Sequence, residues 1–251
     1  MSESPSVIGR AAALLRELSR HTAEGVTTTR VAHEAGLPRA TAHRLLESLA
    51  SEGLVDRDGR TGRWFLGPEI YVLGMASAAR HDLTNEARTS VLRLARETGE
   101  SAFFSVRRGD ETVVLLREDG DFPIRSYVLY EGARFPLGVA SAGIAILAYL
   151  PDHEVDDYLL RADLEGRWGD PYREAALRER LAATRTHGWS LNPGLIVEGS
   201  WGMAATVFDG TGAPGWALTL TGIESRFRPE RQAILGRLLL EEAHRLTKLV
   251  D

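Results

Sequence analysis

The run Gly36-Leu-Pro-Arg-Ala-Thr-Ala-His-Arg-Leu-Leu46 sets forked cations and short polar groups among leucines. Wound as an α-helix, it puts Leu37, Leu45, Leu46 and Leu49 on one face, with Arg39, Ala40, His43, Arg44 and Glu47 largely opposite. A helix that enters the major groove of DNA needs this division: a buried stripe behind, and short or forked groups in its N-terminal half. Arg44 can offer two N–H groups to guanine O6 and N7, while Thr41 and His43 can reach base edges or phosphates. Arg39 and the hydroxyls of Thr27, Thr28 and Thr29 are expected on phosphates, contacts that position without specifying. Arg57, Arg60 and Arg63 surround an Asp58-Gly59 turn and are expected along the backbone or in the minor groove. The alternative use of such a face is protein binding, an adaptor without a specific operator, which predicts indifference to substitution of Arg44.

Catalytic chemistry finds little support. With no cysteine, thiolate nucleophiles, cysteine-ligated zinc, iron–sulfur clusters and disulfides are excluded. The seven histidines show no metal-binding spacing, so no metal and no cofactor are expected. Gly138-Val-Ala-Ser-Ala-Gly143 has one residue too many before Ser141 for a nucleophile elbow. His153, with Glu154, Asp156 and Asp157, reads as the solvated start of a helix, where acids favour the dipole.

The positioning elements follow from periodicity and punctuation. A helix is expected from about Val7 to His21, with Ser6 as its N-cap, and a short one from the threonines to Ala35, stopped by Gly36. Pro38 suits the first turn of the third helix. Two short strands within 54–66 close a hairpin around Asp58-Gly59. Three helices and a hairpin make a winged helix-turn-helix, and Pro68 to Arg80 reads as a helix leading out of it. Beyond Leu83 come a helix at about 84–98, strands at 101–107, 111–118, 124–129, 201–208 and 215–221, and helices at 141–149, 152–160, 171–187 and 229–249. That order predicts an α+β domain on one antiparallel sheet. The boundaries expected are 1–67 for the winged helix, 68–82 for a linker helix and 83–251 for the second domain.

Charge divides the same way. Residues 1–67 carry net +1 and the remainder −6, which fits an anion-binding module on an acidic body. The longest uncharged apolar run, Leu137 to Leu150, is too short to cross a membrane, and Met1-Ser-Glu-Ser-Pro5 lacks a secretory pattern. A cytoplasmic protein is expected.

Val7–Leu18, Thr27–Ala35, Gly36–Leu46 and the following Gly53-Leu-Val and Trp64-Phe-Leu-Gly67 resemble the DNA-binding domain of the IclR (isocitrate lyase regulator) family of bacterial transcription factors. The resemblance continues through Glu131–Leu137, Ser141–Ala148 and Met203–Asp209, covering nearly the whole chain. It implies a C-terminal effector domain similar to GAF and PAS sensors, homodimers that also pair as dimers of dimers, near-palindromic double-stranded operators, and control by a small organic effector. Mapped by motif, the effector wall is Leu137, Ser141, Ala142 and Gly143, with Trp201 and Gly202 on one strand and Thr219 and Thr221 on the next. The family often has Gly-x-Arg-Cys where Gly199-Ser-Trp-Gly202 stands here. An indole in place of polar groups points to an effector less polar than a simple keto acid.

Overall fold

A computed structural model describes residues 6–78 and 82–250, which form two compact units divided between residues 81 and 82. In the first unit, helix α1 (Val7–Leu18) is capped by Ser6, whose hydroxyl accepts from the Gly9 N–H at 3.0 Å. Helix α2 (Thr28–Glu34) is capped by Thr27, and α3 (Arg39–Ser51) starts immediately after Pro38. Strands β1 (Val55–Arg57) and β2 (Trp64–Leu66) pair antiparallel, Arg57 opposite Trp64. Leu14, Leu18, Val31, Ala42, Leu46, Val55 and Trp64 form the core. The Asp58 carboxylate accepts from the Thr61 hydroxyl and from the N–H groups of Thr61 and Arg60, tying the wing loop. The outgoing helix α4 (Pro68–Ala78) follows; the expected end at Arg80 lies outside the described residues.

The second unit opens with α5 (Asp82–Thr98), then strands β3 (Ser101–Arg108), β4 (Glu111–Glu118) and β5 (Arg134–Pro136). Helices α6 (Ser141–Ala148), α7 (Asp152–Arg161), α8 (Leu164–Trp168) and α9 (Glu174–His187) come next. Strands β6 (Trp189–Pro193), β7 (Ser200–Phe208) and β8 (Pro214–Ile223) and helix α10 (Pro229–Thr247) complete the order. All six strands form one antiparallel sheet, in the order β5-β4-β3-β8-β7-β6.

Successive side chains of a strand point to opposite faces. One face carries Ala102, Phe104, Met203, Ala205, Leu218 and Leu220, packed on Val91, Leu94, Leu235 and Leu239 of α5 and α10. The other carries the rows Ser101–Thr221–Gly202–Asn192 and Phe103–Thr219–Ala204–Ser190, under α6, every residue of which is buried. Two ion clusters clamp the helical layer. Glu242 of α10 accepts from Ser90 at 2.7 Å, Arg93 at 2.5 Å and Arg245 at 3.0 Å. Buried Glu100 accepts from Arg226 and Arg231, each at 2.6 Å.

The structure departs from the expected elements in the second unit, where the short helix α8 was also not expected. No strand forms at 124–129: Leu129 instead turns in from a loop onto Phe103 and Val114, so its β-forming composition serves packing. The strands β5 and β6 were not expected from the sequence, being three and five residues long with proline at the end. The helix expected from 171 begins at Glu174, after a helical turn at Asp170–Tyr172.

Two stability outcomes follow. The Trp64 indole N–H donates to the buried Thr28 hydroxyl at 2.9 Å. Thr28→Val leaves that donor unpaired and should lower stability by about 1–3 kcal/mol in urea unfolding of the full chain. Burial raises the Glu242 carboxyl, but hydrogen bonds from Ser90, Arg245 and Arg93 outweigh it and hold the group below its usual 4.5. A depressed folded value makes the clamp's contribution complete above the unfolded value and lost as pH falls through the folded one. Glu242→Gln should therefore flatten the acid side of a melting-temperature profile taken from about pH 6 to about pH 3.

Candidate nucleic-acid interface and ligand cleft

On the outward side of α3, Arg44 is exposed and has no ion-pair partner among the described residues. The same holds for Arg39 and Arg60, although Arg39 Nε donates to the Thr29 hydroxyl at 3.3 Å. Glu47 occupies the other cations nearby: it lies 3.4 Å from Arg57 and 3.5 Å from His43. The Arg57 guanidinium also covers the ring of Trp64, its partner across the hairpin, at 5.3 Å. Ala40 is exposed and Thr41 half-buried in the first turn.

Two expected phosphate contacts change their role. The Thr28 hydroxyl points inward to Trp64 and cannot meet a phosphate, because α2 rotates its second threonine into the core. Thr27 stays exposed as the helix cap and Thr29 holds Arg39. Arg63 donates to the carbonyls of Glu24 and Gly25, both at 3.1 Å, so it ties the β2 strand to the loop before α2. Arg63 is thus spent on the fold, whereas Arg39, Arg44 and Arg60 carry no ion pair among the described residues.

In the second unit Ser141, Trp201, Gly202 and Thr221 come together around one cleft. Its remaining walls are Val128, Leu129, Ala140, Asn192, Ile196 and Ser200, and none of the ten is charged. The cleft holds only about 20 Å³ of free space and opens beside a wider outer one of about 520 Å³, bordered by Arg125, Tyr127, Val197 and Glu198. The outer volume is of the order that suits a small organic molecule. A hydrogen bond of 2.6 Å between the Ser126 and Ser200 hydroxyls joins the two loops that flank both spaces.

The base of the cleft is built by close approach. A Cβ on Gly202 would sit 2.9 Å from Ser141 Oγ, so the glycine lets the Ser141 hydroxyl lie directly over β7. Ser190 donates to the Ser141 carbonyl at 2.7 Å, and Asn192 donates to the Val139 carbonyl at 2.8 Å, fixing the loop before α6. The N-cap of α6, Ala140, offers no side chain to the first N–H groups of the helix, which end beside the cleft. Unpaired N–H groups at a helix start favour an anion or a strong acceptor. Thr221 Oγ1 is buried with no partner in the protein, and so is Thr219 Oγ1 in the row below.

Four of the expected effector residues do other work. Leu137 is fully buried and its carbonyl accepts from the Tyr158 hydroxyl at 2.7 Å. Ala142 packs in the core beneath α6. Gly143 lies against the backbone of 136–138, where a Cβ would come within 3.1–3.2 Å of three backbone atoms. The Trp201 indole packs on the core under α5 and α10, because it is one residue out of phase with Gly202; the residue only borders the cleft. Asn192, Ser190, Val128 and Ile196 were missed, and the alternation Trp189-Ser-Leu-Asn was the available signal for the first two. Among the described residues no group of three acidic or histidine side chains could hold a metal, and no helix is long and apolar enough to cross a membrane.

Comparison with known proteins identifies the family of both units. Residues 7–59 match the IclR helix-turn-helix domain and residues 75–248 the C-terminal domain of bacterial IclR transcriptional regulators. The glycerol operon regulatory protein of Streptomyces griseus is 31% identical over 234 residues, 92% of this chain and 89% of that one. The transcriptional regulator BhcR of Paracoccus denitrificans is 29% identical over 225 residues, 89% of this chain and 80% of its own. Among solved structures, an IclR regulator of Alicyclobacillus acidocaldarius aligns over 100% of both chains with a TM-score of 0.76 at 24% identity. An IclR homologue of Microbacterium hydrocarbonoxydans, complexed with 4-hydroxybenzoate, aligns over 97% of this chain and 98% of its own, with a TM-score of 0.74 at 21% identity. A DNA-binding helix-turn-helix unit followed by an effector-binding unit, matched along nearly its full length, places this chain in the IclR family of bacterial DNA-binding transcriptional regulators.

Proposed function

We propose that this protein reads a specific operator with α3 and surrenders or gains affinity for it when a small organic effector fills the cleft beneath α6. The observation that carries the DNA half is Arg44, an exposed guanidinium left unpaired on the outward face of α3 while Glu47 neutralises its neighbours. In this reading Arg44 reads a guanine and Thr41 and His43 reach adjacent base edges; Ala40 allows close approach. Arg39, Thr27, Thr29, Arg60 and the half-neutralised Arg57 hold phosphates. The winged helix ends at residue 67, α4 is the linker, and residues 83–251 form the effector and assembly domain.

A single recognition helix covers few base pairs, so two copies on a near-palindromic site are expected. The exposed Tyr71, Val72, Leu73 and Met75 of α4 supply an apolar surface for that pairing. A dimer acting on chromosomal DNA belongs in the cytoplasm.

The effector is less polar than a simple keto acid. The reason lies in Val128, Leu129, Ala140 and Ile196, which line the cleft without any charged side chain, and not in the Trp201 indole. Its one polar end meets the start of α6, Ser141 and the Thr221 hydroxyl. The 4-hydroxybenzoate held by the Microbacterium homologue has that character, a ring with polar ends. Effector and DNA change each other's affinity by the same factor, as linkage requires.

Selection of bound duplexes from a random pool should return a near-palindromic sequence. Arg44→Ala should weaken binding to it by about tenfold or more while leaving affinity for unrelated duplex nearly unchanged. Equal binding of selected and random duplex by the wild-type chain would defeat the reading. For the cleft, Gly202→Val should displace Ser141 and abolish any effector response of the selected complex without reducing its DNA affinity. A response that survives this substitution moves the effector elsewhere.

A further inference from the structure

A second cavity lies at the edge of the sheet, between α9, β6 and α10, and neither the DNA-binding reading nor the effector cleft uses it. Strand alternation turns Ser190 and Asn192 of β6 toward the cleft and Trp189, Leu191 and Pro193 toward this groove. With Arg180, Ala183 and His187 of α9 and Gln232 of α10, they line a groove of about 270 Å³. The Trp189 and His187 rings stack at 5.0 Å and 25°, so the imidazole covers one face of the indole, while the Nε1 side of the indole lies against Gly236 of α10; the stacked pair forms one wall of the groove.

Arg180 gives the groove its chemistry. Its Nε donates to the Ala176 carbonyl at 3.3 Å and its Nη2 to the Pro171 carbonyl at 2.6 Å, and the guanidinium lies 5.2 Å over the Tyr172 ring. Nη1 is buried and has no acceptor in the protein. No carboxylate among the described residues pairs with this cation, whereas Arg178, two residues before it, is held by both Asp156 and Glu174. Burial draws the Arg180 guanidinium below its ordinary value, as expected for a charge short of a counterion. An uncompensated guanidinium on the wall of a mostly apolar groove matches an anion with an apolar body: the charge takes a carboxylate, and the indole and Leu191 take a ring.

We propose that this groove is a second small-molecule site, which binds a planar aromatic monocarboxylate with its carboxylate at Arg180 and its ring on Trp189 and Leu191. The site is separate from the effector cleft and stands whether or not that cleft binds a ligand.

The five tryptophans allow the two places to be read apart. Full-length protein labelled with 5-fluorotryptophan is titrated with sodium 2-naphthoate and followed by ¹⁹F NMR, Trp189 being assigned through Trp189→Phe and Trp201 through Trp201→Phe. The Trp189 resonance should move saturably, and more tightly than with uncharged naphthalene-2-methanol. Arg180→Gln should weaken the naphthoate response about tenfold, the loss of one charge-assisted contact. Ala183→Phe, at an exposed position on the rim, should fill the groove and abolish the response with the circular dichroism unchanged. A shift of Trp201 alone, an equal response to the alcohol, or no response of Trp189 at millimolar naphthoate overturns the proposal. So does a change of oligomeric state in Ala183→Phe, which would make the groove a contact between copies.

Discussion

The two-residue period of β7 and β8 governs the C-terminal unit. Met203, Ala205, Leu218 and Leu220 go to one face and bury against α5 and α10; Gly202, Ala204, Thr219 and Thr221, one residue out of phase, go to the other. Each large apolar side chain removed from water contributes about 1.5–3 kcal/mol, so the face on α5 and α10 contributes heavily to stability. The opposite face carries small residues and hydroxyls, and α6 settles close upon it because nothing there is bulky. A cleft opens where that approach ends. Site and core are thus the two sides of the same strands, and a slip of one residue would exchange them.

In the N-terminal unit the governing balance is electrostatic. The chain holds 30 basic residues against 35 acidic ones, so most arginines find carboxylates. Those near α3 are apportioned with a result: Glu47 takes His43 and Arg57, Glu34 takes Arg30 and His21, and backbone carbonyls take Arg63. Arg39, Arg44 and Arg60 are left with charge to share. The Glu34 carboxyl sits below its usual range, chiefly through its hydrogen bond from Arg30, so that pairing persists well into acid. The exposed potential of the surface is set by which cations are already occupied and not by how many there are.

Helices were legible because their apolar spacing is local: α1, α3 and α10 run close to where the leucines place them, and the Asp58 turn announced the hairpin. The strands β5 and β6 were not, since three or five residues with proline and asparagine carry too little period to stand out. Ile124 to Leu129 looked like a strand because a loop that plugs a core needs the same residue types. Thr28 and Arg63 looked like surface ligands because their partners, Trp64 and the Glu24–Gly25 carbonyls, lie 36 to 39 residues away. For the cleft, motif resemblance found the neighbourhood but not the orientation. Trp201 and Gly202 are adjacent on one strand, so only one of them could face the ligand, and parity with Thr221 shows that it is Gly202.

The separation of the two sheet faces has a consequence for how such a protein can change over generations. Ile196 and Val128 lie at the margins of their clusters, unlike the fully buried residues of the face on α5 and α10, so they can be exchanged at smaller cost in folded population. Drift can therefore explore new chemical signals at the cleft while Phe104, Leu218 and Leu220 stay under purifying constraint. A regulator built this way can acquire a different effector without passing through an unfolded ancestor.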